Sequence, residues 1–444
     1  MTAPPKAQLL RVLGVGFGIA VSLGNSIGAG IMRTPAGIAA HLPNAWLILL
    51  AWIVGAAYSL VGAWSLSEVG AMVPSAGAYY AIARRAYGDY MSFVVGWTDW
   101  ISLCGAMAFI SLLAGEYIGD LVPSLNHHTN ATAALIVVAL GLLQWRGIRW
   151  GSGFQDVTSA ITACVFVVLV VVAFVHPHSH SSSLAPTSVI PTGIALFAAW
   201  VVVLQSVIGT YDGWYSAIYF GDEIVNPAVE LPRSLIRGVL LLAAIYVLVN
   251  AALLYSLDIT QLAHENLPLT SLGQILAGER GMVAVRWLMV LTLVSATNAT
   301  VLCATRVLYA MSRDGWGPAQ ISFVNRGGTP AISLFFSMLA GIVFLLSGSF
   351  DRALAITAFF FVSKYLLSYL AVFVLRRRKP DAARPYRAFG YPLTTALAVL
   401  GSTLFLAGVA AVDTRNTLYG CVVLLASYPI YRLARKNVSP VPAS

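Results

Sequence analysis

The stretch Gly24-Asn25-Ser26-Ile27-Gly28-Ala29-Gly30 constrains this chain more than any other. It is flanked by Val12 to Leu23 and by Ile31 to Ala40, both apolar enough to lie in a bilayer. Three glycines with Asn and Ser make a poor helix centre, because glycine gives up the most backbone entropy on ordering. A break there leaves N–H and C=O groups unpaired at membrane depth. That is tolerated only where the groups line a protein or water cavity. The stretch therefore predicts a broken membrane helix whose two stumps face a ligand.

The remaining sequence supplies the membrane setting. Of 444 residues, 59% are hydrophobic and 10% charged, with a mean hydropathy of +0.81, where a soluble protein carries about 25% charged residues. Apolar stretches of spanning length recur from end to end. The expected fold class is an all-α polytopic membrane protein with twelve spans. They lie near 11–40 (broken), 44–72, 88–120, 130–147, 153–175, 192–221, 233–257, 281–311, 329–348, 351–376, 392–413 and 416–434. The stretch 74–88 reads as interfacial, 176–191 as an outer loop rich in His, Ser and Pro, and 258–281 as an outer loop with a short helix. No apolar segment followed by a cleavage site opens the chain, so no signal peptide is expected.

The net charge of +9 does not point to nucleic acid, because of how it is distributed. With a cytoplasmic N-terminus, twenty of the 26 Lys and Arg fall in inner segments, five fall outside, and Lys364 lies within a span. That is the positive-inside bias, and it places both termini in the cytoplasm. Cys104, Cys164, Cys303 and Cys421 all lie in apolar spans at no metal spacing, and read as small packing residues. His176, His178 and His180 have no Cys or carboxylate beside them and read as an exposed loop. No metal site and no cofactor are expected. An enzyme is not expected either, since there is no zincin helix, nucleophile elbow or P-loop.

The sixth span is the second irregular one. Apolar Phe197 to Ile208 is followed by Gly209-Thr210-Tyr211-Asp212-Gly213 and then Trp214 to Phe220. Broken spans five apart fit an inverted repeat of five helices plus five, and mark a transporter's site. The halves are 11–175 and 192–376, with two further helices over 392–434. No residue-level identity links them, so the repeat rests on the breaks alone.

A family resemblance accompanies these breaks. Gly24 to Ile31 with Pro35 resembles the first-helix motif of the amino acid–polyamine–organocation permeases. In chain order it continues through Ser67-Glu68-Val69-Gly70, Gly77-Ala78-Tyr79-Tyr80, Tyr211-Asp212-Gly213-Trp214, Glu223 to Pro227, Leu231-Pro232-Arg233, Arg306 to Gly315, and Arg376 to Pro385. The resemblance implies the leucine-transporter fold, amino acid or amine substrates, and alternating access. The chemistry of a broken helix agrees. An amino acid presents a carboxylate and an ammonium a few Å apart. A broken helix offers free N–H groups at one stump and free carbonyls at the other. The carboxylate is expected at Gly28, Ala29 and Gly30, and the ammonium at the carbonyls near Ser26 and from Gly209 to Tyr211. Ile27, Asp212, Gly213 and Trp214 complete the set of eleven expected substrate-binding residues, with Ser26, Gly28, Ala29, Gly30, Gly209, Thr210 and Tyr211.

Several positions depart from the family's pattern or stand alone. An aromatic that often closes over the substrate is replaced by Gly209, which widens the pocket or moves the gate to Tyr211 or Trp214. Some members hold a lysine in the fifth helix in place of sodium, and the matching position here is Thr162. Ser295 and Thr297 are then candidate sodium ligands, although such hydroxyls usually bond their own helix. Asp212 reads as a substrate contact or, by preference, as a cap on the second half-helix. Glu68 reads as scaffold. Asp99 and Glu116 are expected near the watery ends of their span. Lys364 falls near the midplane, where a charged lysine costs roughly 2.5–3.5 kcal/mol. It is expected to face the bundle interior, either as a proton-coupling group or as a structural lysine bonded to carbonyls or a carboxylate.

The sequence thus points to a secondary amino acid transporter of the inner or plasma membrane. Its expected partners are the amino acid, the lipid bilayer, and proton or sodium as candidate coupling ions, with no nucleic acid. A carrier of polyamines or other organic amines, and a transport-dead amino acid sensor, are the alternatives.

Overall fold

The computed structural model describes residues 8–176, 191–347, 350–412 and 414–434. Most of the histidine-rich loop, 177–190, lies outside the described residues, including His178 and His180. The order is α1 (Val15–Ser26), α2 (Ala29–His41), α3 (Ala45–Met72), α4 (Tyr79–Tyr87), α5 (Asp89–Leu121), α6 (Thr129–Trp145), α7 (Ile148–Val175) and α8 (Gly193–Tyr211). It continues with α9 (Pro227–Ser256), α10 (Ile259–His264), α11 (Pro268–Arg313), α12 (Ala331–Leu346), α13 (Phe350–Arg378), α14 (Leu393–Val412) and α15 (Thr414–Ala434). The described residues contain isolated bridges but no strand.

Among the described residues, eight helices are long and apolar enough to cross a membrane, or nine if the bent pair α1 and α2 is one span. This supports a multi-pass membrane protein. The other expected spans coincide with α12, α13 and α15, which do not meet that measure over the described residues. The expected outer loop at 258–281 contains α10 and the first turns of α11. Ala277 and Gly278 (φ +61°) interrupt α11 there, a conformation that glycine adopts without a Cβ penalty.

Burial follows a bilayer's logic. Ile194, Leu135 and Leu142 are 88%, 67% and 64% exposed, as expected of a surface that faces hydrocarbon. Inside, α5 packs against α4, α6, α11, α12 and α13, while α3 packs against α8, α9 and α14. Glu68 ties α3 to the connector after α13. Its carboxylate accepts bidentate bonds from Arg376 at 2.6 and 2.8 Å and one from Ala388 N–H at 2.7 Å. The scaffold role expected of it is what these bonds describe.

Candidate functional site

The two breaks lie across one another. At the first, Ile27 (φ −78°, ψ 96°) and Gly28 (φ −148°, ψ −145°) leave the helix, and α2 departs at 51° to α1. No side chain caps α2, so its first N–H groups have no intrahelical partner and carry the helix's positive end. At the second, α8 ends at Tyr211, Asp212 is extended, and Gly213 adopts φ +104°. A Cβ on Gly213 would stand 2.8 Å from the carbonyl carbon of Asn25, so only glycine lets the second break rest on the first. Tyr246 of α9 holds the crossing, with its hydroxyl 2.8 Å from the Ser26 carbonyl and 3.1 Å from that of Thr210. Asn25 donates to Ser216 Oγ at 2.8 Å, and the hydroxyls of Thr34 and Thr210 are 2.8 Å apart.

A cavity of about 150 Å³ opens at the crossing. Its break-side wall is Asn25, Ser26, Gly28, Ala29, Gly30, Gly209, Thr210 and Asp212, which includes seven of the eleven residues expected to bind substrate. The other four do not line it. Ile27 and Gly213 are buried in the crossing itself. Tyr211 turns to α3, where its hydroxyl donates to the Trp52 carbonyl at 3.2 Å. Trp214 is buried against Tyr215 and Tyr365. The aromatic rings that face the cavity are instead Phe109 of α5 and Phe361 of α13, with Gly105, Ala106 and Ile110 beside them and Leu293 and Ala296 from α11. The expected ammonium acceptors are partly engaged already. Ser26 and Thr210 carbonyls receive Tyr246, and the Tyr211 carbonyl receives Ser26 Oγ at 3.3 Å.

Beneath Phe361 lies a buried charged cluster. Lys364 Nζ donates to Asp99 Oδ1 at 2.6 Å, to Tyr219 at 3.2 Å and to Tyr215 at 3.4 Å. It also sits 4.4 Å from the Phe361 ring and 4.9 Å from that of Tyr79. The expectation that Asp99 stands near a watery end is corrected: it is 1% exposed. α5 is 33 residues long, so a residue ten places in lies about 15 Å deep. Glu116, by contrast, is exposed. The preferred capping role of Asp212 is also corrected. Its oxygens accept from the hydroxyls of Tyr365 and Tyr215, and the turn after it has no side-chain cap.

The candidate sodium ligands are not gathered into one set. Thr297 bonds its own helix at Leu293 O, 2.8 Å away. Ser295 accepts from Gln155 at 2.9 Å and pairs with Thr158 at 2.8 Å, while the buried Thr162 hydroxyl has no partner. Gly24 leaves the room that the Gln155 amide occupies, since a Cβ there would collide with it.

The arginine-rich end of the bundle is closed. Val12 and Leu13 N–H donate to Glu223 O at 2.9 and 3.0 Å, and Val225 N–H to Leu13 O at 3.0 Å. The Glu223 side chain accepts both arms of the buried Arg306 at 2.9 Å. Arg313–Asp222 and Arg84–Asp314, each at 2.6 Å, add to the seal.

Comparison with known proteins fits this geometry. A family profile described as amino acid permease matches residues 13–428. The serine/threonine exchanger SteT of Bacillus subtilis (strain 168) is 26% identical over 440 residues, covering 97% of this chain and 98% of that protein. The b(0,+)-type amino acid transporter 1 of Mus musculus is 24% identical over 438 residues, covering 96% and 88%. The mouse Asc-type amino acid transporter 1 is 24% identical over 404 residues, covering 87% and 74%.

Proposed function

Because the chain belongs to the amino acid permease family, we propose that it is a secondary transporter that carries small amino acids by alternating access between the two helix breaks. It is a transporter rather than an enzyme. The observation that carries the finer reading is the uncapped start of α2 opening on the cavity that α8 shares. The substrate carboxylate takes the N–H groups at Gly28, Ala29 and Gly30, where the helix dipole favours an anion. The ammonium takes the remaining carbonyl lone pairs of the crossing.

Size supports a small side chain. A cavity of about 150 Å³ is the size that accommodates benzene, so an amino acid as large as serine or threonine fills it. The name of the exchanger from Bacillus points the same way. The closed arginine-rich end corresponds to a state sealed toward the cytoplasm, in the orientation that the charge bias predicts. The five-plus-five repeat of the leucine-transporter fold, twelve spans, and residence in the inner or plasma membrane complete the reading. Sodium is the less favoured coupling ion, because Thr297 and Ser295 are already bonded within the protein.

The test is uptake of labelled L-serine into proteoliposomes, with competition by a panel of amino acids and polyamines. Uptake blocked by small neutral amino acids is the expected result. Binding without flux would favour the sensor, and competition by putrescine alone would favour an amine carrier.

A further inference from the structure

We propose that Asp212 is a proton-binding site that faces the substrate cavity and is backed by a fixed Asp99–Lys364 ion pair. The hydrogen-bond directions assign the charges. An ammonium has three donors and no acceptor, and Lys364 uses three, on Asp99, Tyr215 and Tyr219. Tyr215 accepts from Lys364, so its own hydrogen is left to point at Asp212 Oδ2. Tyr219 likewise sends its hydrogen to Asp99. The hydroxyls of Tyr215, Tyr219 and Tyr365 are thus all aimed at carboxylates, and Lys364 is paired with Asp99. The lysine is therefore the anchor of the cluster.

What remains is one carboxylate too many. Asp99 and Lys364 cancel, while Asp212 has two hydroxyls, from Tyr365 and Tyr215, and no cation in contact. The charged and titratable groups around it are Tyr58 on α3, Tyr79 on α4, Asp99 on α5, and Lys364, Tyr365 and Tyr369 on α13. Cys303 on α11 lies near Tyr215. The neighbouring Glu223 is neutralised by Arg306. Asp212 is half-buried, and an anion partly withdrawn from water with no cation in contact is costly; a proton removes that cost. Access is provided, because Asp212 lines the cavity. Capacity is provided too, since each carboxylate oxygen has a second lone-pair site beyond the one its tyrosine occupies. The buried hydroxyls of Tyr79 and Tyr369 border the cluster and have no partner.

The inference rests on the membrane reading but not on the identity of the substrate. The test is an infrared difference titration of the purified full chain without substrate, from about pH 8 to about pH 5.5, above the values near 3.9–4.3 at which exposed carboxyls titrate. A carboxylic acid C=O band is expected to appear on acidification and to be lost in the isosteric Asp212→Asn. In Tyr365→Phe the band is expected to persist at a shifted frequency, since one of its two hydroxyl partners is gone. A wild-type protein with no such band, or a band that survives Asp212→Asn unchanged, overturns the proposal. Failed serine uptake would count against the transport reading and leave this spectrum standing.

Discussion

Gly209→Ala separates the cavity wall from the rest of the fold. Gly209 lies in the last turn of α8, borders the cavity, and has no atom within 4 Å of where a Cβ would stand. Alanine there creates no clash, and it raises helix propensity by about 0.8–1.0 kcal/mol. The variant's unfolding temperature in detergent should equal or exceed that of the wild type. Gly209 borders a cavity of only about 150 Å³, which the added methyl group is expected to narrow. An apolar pocket discriminates one extra methylene by roughly 1–3 kcal/mol, about 10–200-fold. The loss should fall on substrates that fill the cavity. The half-inhibiting concentration of threonine against labelled-serine uptake should rise about tenfold or more relative to that of alanine, by the same estimate. An unchanged threonine-to-alanine ratio in a stable variant would refute the claim that position 209 touches the substrate.

Arg306→Met strands the fully buried Glu223, which should cost roughly 3–5 kcal/mol in detergent unfolding, and adding Glu223→Gln should recover most of it. Lys364→Met should destabilise to a similar extent by stranding Asp99, with Asp99→Asn restoring stability; a single mutant as stable as wild type would show that the pair holds nothing together. Gly30→Ala places a Cβ 2.9 Å from Thr210 Cγ2 and should lose about 1–3 kcal/mol by overpacking, whereas Gly28→Ala meets nothing within 4 Å and should fold normally. Thermal unfolding of the two glycine variants side by side checks this.

The break at Gly24 to Gly30 was legible because glycines with Asn and Ser make a poor helix centre, and the structure bends there by 51°. The second break at Gly209 to Gly213 was legible for the same reason. What the two breaks do to each other was not, since the Gly213–Asn25 contact joins residues far apart in the chain and leaves no local pattern. The cavity's far wall was also hidden. Gly105, Ala106, Phe109 and Ile110 look like any packing face until α5 is placed opposite the breaks. Lys364 shows how a partial signal falls short. Its depth demanded a partner in the bundle, and the demand was met by Asp99. That residue was read as near a watery end because the length of α5 was not carried into its depth. Tyr211 and Trp214 do not line the cavity, and backbone phase past a break cannot be extrapolated from helix periodicity.

Tyr246 and Gly213 have a mechanical consequence. Two interrupted helices ordinarily bring two independent pivots. Here one tyrosine hydroxyl spans carbonyls from both broken helices, and one glycine lets them touch, so the pivots share a single fulcrum. On one side of it stand α2 and α8, and on the other α1 and the 3-10 turn at Ser216–Tyr219. A tilt of the first pair acts as one arm of a lever, and the second pair is the other arm. The bonds from Leu13 to Glu223 and Val225 lie at the tip of that second arm. Under the alternating access proposed above, closing the cavity on one face and loosening those bonds on the other would be a single displacement about a still fulcrum.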